Sequence, residues 1–164
     1  MSKPTRATCP TGQWQLDNAS WAKALTALMA EGDLKANATV TGVHTLDWKA
    51  DGTYLMQAED VEYTMAGSAN GQQFTIVVTH DSEETGRWSG GDGLSDGTYS
   101  LAVVDNSRWK SSSTLNAGGV SNRMDGGTPA LWSDNVAVRC DGNIMHTTVT
   151  QDGVSATVDF SRLG

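Results

Sequence analysis

Basic residues are scarce in this chain: 11 Lys and Arg stand against 19 Asp and Glu, a formal net charge of -8. The densest basic stretch is the short patch Arg108-Trp109-Lys110, which is no positive groove, so nucleic acid is excluded as a partner. The same deficit disfavours docking to an anionic membrane surface. No apolar run approaches the ~20 residues that cross a bilayer, and the chain is expected not to span a membrane.

Catalytic signatures are also missing. Gly93-Leu94-Ser95-Asp96-Gly97 has the Gly-x-Ser-x-Gly spacing but runs into a strand signal and not a helix, so it is no nucleophile elbow. There is no Cys-x-x-Cys pair, no His-Glu-x-x-His helix and no glycine-rich phosphate loop leading into a helix. Gly90-Gly91-Asp92-Gly93 lies between strand signals and carries no Lys, so it reads as a hairpin loop. No two carboxylates can be set across a cleft from their spacing. The chain is therefore expected not to be an enzyme, with no catalytic residues and no cofactor.

A chain of 164 residues buries one substantial core, and nothing separates two apolar units. Residues 9–164 read as one domain behind a flexible segment at 1–8. Two cysteines, abundant Thr, Ser, Asn and Gly, and few Lys suggest an exported protein in an oxidising compartment. Met1 to Pro10 has no apolar signal core, so the exported chain is read as beginning at an added methionine after a removed leader. A bridge between Cys9 and Cys140 would tie the first strand to one of the last and contribute about 4–5 kcal/mol by restricting the unfolded chain. Two buried thiols in a cytosolic protein are the other reading.

Gly12-x-Trp14 opens a strand, with Gly12 allowing close approach of a neighbouring element and Trp14 offering a large apolar body for a barrel floor. Asn18 or Ser20 then caps a helix through Trp21, Leu25, Leu28 and Met29, ended by Gly32. From Ala38 the period becomes two. Val40, Gly42, His44, Leu46 and Trp48 share one face, Tyr54 and Met56 follow, then Val61, Tyr63 and Met65, then Phe74, Ile76, Val78 and His80. Seven Asp-Gly or Asn-Gly pairs, with no helices between them, argue for antiparallel hairpins. Gly86-Arg87-Trp88 should begin another short strand, and Asn106 to Gly127 reads as a long irregular rim loop. The expected fold is all-β: an antiparallel closed or nearly closed barrel of about 8–10 strands, with one short helix after the first strand.

Five stretches resemble the lipocalin-like, or calycin-type, β-barrel domains of actinobacterial secreted proteins and lipoproteins. They are Cys9-x-x-Gly12-x-Trp14-x-Leu16-Asp17-Asn18, the short helix, Asp51-Gly52-Thr53-Tyr54, Gly86-x-Trp88 and Val138-Arg139-Cys140-Asp141-Gly142. The resemblance implies a Cys9–Cys140 disulfide, an extracytoplasmic location in secreted or cell-envelope form, and a barrel that binds a small apolar molecule. It supplies no catalytic residues. Arg6-Ala7-Thr8 before Cys9 lacks the apolar residue of a lipid-attachment box, so no lipid anchor is expected.

Three functional readings follow. In the first, Trp48, Tyr54, Met56, Tyr63, Met65, Phe74 and Trp88 line a pocket for a small hydrophobic or amphipathic ligand, with tyrosine hydroxyls orienting its polar end. In the second, the same residues fill the interior and the rim loops, Trp109 in particular, contact a protein or cell-envelope partner. In the third, His44, His80 and His146 converge on a metal or haem iron. The run Asp81-Ser82-Glu83-Glu84 reads as a solvated hairpin tip in preference to a calcium site.

Overall fold

The computed structural model describes residues 9–31, 35–105, 107–108, 110–125, 135–151 and 154–163. The expectations for the segment at 1–8, for Trp109, for the helix stop at Gly32 and for the turn at Asp152-Gly153 lie outside these residues. Strand β1 (Gly12–Leu16) leads into helix α1 (Asn18–Glu31), and nine strands follow. They are β2 (Lys35–Trp48), β3 (Thr53–Ala69), β4 (Gln72–Ser89), β5 (Gly97–Asp105), β6 (Lys110–Ala117), β7 (Val120–Asp125), β8 (Val136–Asp141), β9 (Ile144–Gln151) and β10 (Val154–Arg162).

Every pairing is antiparallel, as the turn-rich sequence requires. The order β3-β2-β1-β10-β9-β8-β5-β4, with β3 also paired to β4, closes a ring of eight strands. The remaining hairpin, β6–β7, continues the sheet outside the ring as a wing. Strand β4 serves both. Its residues Phe74–Asp81 pair with β6, and Thr85–Ser89 pair with β5. Between them, at Ser82–Glu84, β4 keeps only its β3 neighbour among the described residues, so the wall forks there.

The floor is closed by Cys9 and Cys140, disulfide-bonded with Cα atoms 6.2 Å apart, and by the loop after β4. Thr11 donates its backbone N–H to Gly93 O at 3.1 Å, and the Tyr99 hydroxyl donates to Ser95 O at 2.8 Å. Gly12 has φ +142°, and a Cβ there would lie 2.5 Å from a guanidinium nitrogen of Arg162. That guanidinium lies 4.2 Å over the Trp14 ring, so the missing side chain is what lets the last strand stack on the first. Trp14 is fully buried, its indole N–H donating to Pro10 O at 2.8 Å.

Helix α1 packs on β2 and β10. Its cap is Asp17, in place of the expected Asn18 or Ser20: the Asp17 carboxylate accepts the Ala19 N–H at 3.2 Å, and the Asp17 carbonyl accepts the Trp21 N–H. Ser20 is recruited across the fold instead, its hydroxyl accepting the Asp159 N–H at 2.9 Å. Asn18 donates to Gly42 O.

Three segments differ from expectation. Asn106 to Gly127 is largely the β6–β7 hairpin, turning at Gly118-Gly119, both with positive φ, as two-residue hairpin turns demand. Its Ser, Thr and Asn content belongs to a wing whose outer face meets water. Gly86-Arg87-Trp88 ends β4, and Asp81-Ser82-Glu83-Glu84 lies inside β4. The turn at Asn70-Gly71 is followed by one 18-residue strand whose alternation continues straight through this polar run.

Candidate functional site

The inner face of the ring has three zones along its axis. At the floor, Trp48 meets Trp88 and Tyr99 with ring centroids 6.1 and 5.4 Å apart. Trp48, Tyr54 and Met56 are at most 2% exposed and belong to the main core cluster, with Trp88 packed against it. Here the expected wall residues fill the interior.

Above them lies a polar belt. Register places Leu46, Met56 and Glu84 in one row, then His44, Ala58 and Ser82, then Val61 and His80, then Tyr63 and Val78. His44, His80, Ser82 and Glu84 are 2, 4, 7 and 4% exposed. The Tyr54 hydroxyl donates to Glu84 Oε2 at 3.1 Å. Burial raises the Glu84 carboxyl above its ordinary range, opposed by that bond, and burial raises the Tyr54 phenol too. His44 Nε2 stands 3.5 Å from the Tyr63 hydroxyl, and Tyr63 lies edge-on to His80 with centroids 4.8 Å apart. Burial lowers both imidazoles to about 4, with mutual repulsion adding to the effect at His44, so both are neutral at pH 7. His44 Nδ1 is buried without a hydrogen-bond partner among the described residues. Such an orphan costs about 1–3 kcal/mol.

At the helix-covered end the lining is apolar and half-buried. Trp21 and Leu25 of α1 join Val40, Met65 and Ile76 against the second core cluster, Ala58, Val61, Tyr63 and Val78. Trp21 meets Tyr63 edge-on at 5.9 Å.

The seven expected wall residues are therefore divided. Trp48, Tyr54, Met56 and Trp88 belong to the floor, Tyr63 and Met65 to the helix-covered end, and Phe74 to an open groove of about 820 Å³ across the tips of β2, β3, β4 and β6. The three-histidine reading is corrected. His44 and His80 adjoin, with centroids 6.1 Å apart, but His146 points out of the ring between inward Met145 and Thr147. Its Nδ1 pairs with Asp159 Oδ1 at 2.6 Å. No three His, Cys, Asp or Glu side chains form a metal-holding group among the described residues. No described helix is long and apolar enough to cross a membrane.

Sequence reasoning missed Glu84 and Ser82, although the signal was present: the inward set Phe74, Ile76, Val78 and His80 extends by twos to Ser82, Glu84, Gly86 and Trp88. Arg162 was missed as the partner of Trp14. No family model matches the chain, and searches of curated proteins and of solved structures also find no match.

Proposed function

We propose that the protein is an exported, lipocalin-like binding protein without enzymatic activity, holding a small amphipathic ligand with its head in the belt and its apolar body among Val40, Met65 and Ile76. The observation that carries this reading is the buried belt itself: His44, His80, Ser82 and Glu84 occupy inward positions of an otherwise apolar ring, and His44 Nδ1 has no partner. A core built only for stability has no use for four such groups. A ligand with a polar head satisfies the orphan, and half-buried Trp21 and Leu25 are the side chains that yield on entry. The disulfide supports an oxidising, extracytoplasmic setting. Native mass spectrometry of protein from its own host tests this. A non-covalent excess mass lost on denaturation is expected, and a clean apo mass from every preparation overturns it.

The wing favours a second reading, an interaction module acting outside the ring. Leu115 and Val120 are 39 and 61% exposed, and β7 has one strand neighbour among the described residues. Under this reading Val120→Asp abolishes partner capture without changing thermal stability, while loss of ligand on His44→Ala belongs to the first reading alone.

A further inference from the structure

Resting on that reading, we propose that the ligand is cationic: a protonated hydrophobic amine or a quaternary ammonium whose head sits against Glu84 inside the ring. Five polar or charged side chains are buried among the described residues: His44, His80, Ser82, Glu84 and Thr147. Glu84 is the one carboxyl among them, and no Lys or Arg is buried with it. Nearby Arg108 is spent outside the wall, 3.7 Å from Glu83. Among the described residues, Glu84 accepts its hydrogen bond from the neutral Tyr54 phenol. A buried carboxyl with no cationic side chain beside it is favoured as the neutral acid, or as the partner of a cation from elsewhere.

The surroundings suit a cation. Tyr54, Tyr63 and Trp48 make the belt and its lower margin aromatic, and both imidazoles are neutral. The chain's net charge of -8 draws cations from solution. An anionic head, by contrast, meets a carboxyl, two uncharged rings and no positive group. Binding of a permanent cation displaces the Glu84 proton: the O–H bond breaks, the proton passes to buffer, and the carboxylate pairs with the head. Head at Glu84 and tail toward Met65 matches the order of the belt and the apolar end.

Three ten-carbon probes of one tail and different heads decide the matter by tryptophan fluorescence and calorimetry: decyltrimethylammonium, decanol and decanoate, each below its micelle concentration. The ammonium is expected to bind at least about tenfold tighter than either other probe, and Glu84→Gln to lose about tenfold for the ammonium while leaving decanol unchanged. Calorimetry of the unmutated protein at pH 4.5, where a carboxyl raised above 4.5 is mostly protonated, in buffers of different ionisation heat, should show a proton released by the ammonium and none by decanol, a readout that survives failure of the variant to fold. Decanol or decanoate matching the ammonium, or no proton release, overturns the cation assignment and leaves the binding protein standing. Binding of none of the three overturns both.

Discussion

The Tyr54 hydroxyl donates to the Glu84 carboxyl at 3.1 Å across the β3–β4 pair, in an interior that buries no Lys or Arg among the described residues. Burial holds the folded-state pKa of Glu84 above its unfolded value. The folded protein therefore keeps a proton that the unfolded chain releases, and the stability tied to this group is present at low pH and lost as pH rises through the folded pKa. Glu84→Gln is expected to flatten that decline, so urea midpoints of variant and parent converge in acid and separate toward neutrality, with the variant higher. Parallel midpoint curves would show that Glu84 does not titrate in this window.

The two imidazoles act in the opposite sense. Both are lowered to about 4 from 6.5, so the unfolded chain binds more protons between those values and stability rises with pH across that interval. Below it the contribution is lost. In His44→Gln, equilibrium unfolding between pH 4 and 6.5 should show a visibly shallower rise than in the parent. His146→Gln, which changes an outward pair with Asp159, serves as the comparison.

Removing the Tyr54 hydroxyl strips Glu84 of its donor. Tyr54→Phe is expected to cost about 1–3 kcal/mol in urea unfolding at neutral pH. Combined with Glu84→Gln, the loss should be less than the sum of the single effects, since the two groups share one bond. Strict additivity would show that the bond contributes nothing.

Gly12→Ala places a Cβ against Arg162 at a positive φ. We expect a loss of about 1–3 kcal/mol from strain, with the Arg162 guanidinium pushed off Trp14. Arg162→Ala in the same chain removes the clash but leaves the strained backbone, so rescue should be partial. Full rescue would assign the whole effect to the clash.

Reduction of Cys9–Cys140, or Cys9→Ser with Cys140→Ser, should lower stability by about 4–5 kcal/mol on the loop-entropy account, since the bridge spans 131 residues. Mass spectrometry fixes the starting state: the oxidised chain is two hydrogens lighter. A loss below about 1 kcal/mol would mean that the unfolded chain is already compact.

Much of the fold was legible because strands write themselves in period two. Val40 to Trp48 and Phe74 to His80 alternate cleanly, and glycine after Asp or Asn marks hairpins such as Asn70-Gly71. What misled was polarity. Asp81-Ser82-Glu83-Glu84 is hydrophilic enough to read as a loop, because composition reports the average of two faces while the ring sees one. The β6–β7 hairpin was hidden for a related reason: outside the ring a strand can be mostly polar, and its pairing rests on backbone hydrogen bonds with little apolar burial. The division of Trp48, Tyr63 and Phe74 among floor, helix-covered end and wing tip depends on register along long strands. Composition has no access to that.

The fork in β4 falls within the belt. His80 lies on the stretch paired with β6, Glu84 just short of the stretch paired with β5, and Ser82 at the crotch, its hydroxyl donating to Lys110 O at 3.2 Å. The outer hairpin and the inner belt are thus two sides of one strand: the wall that carries the wing outside presents the imidazole and the carboxyl inside, and it changes partner between them.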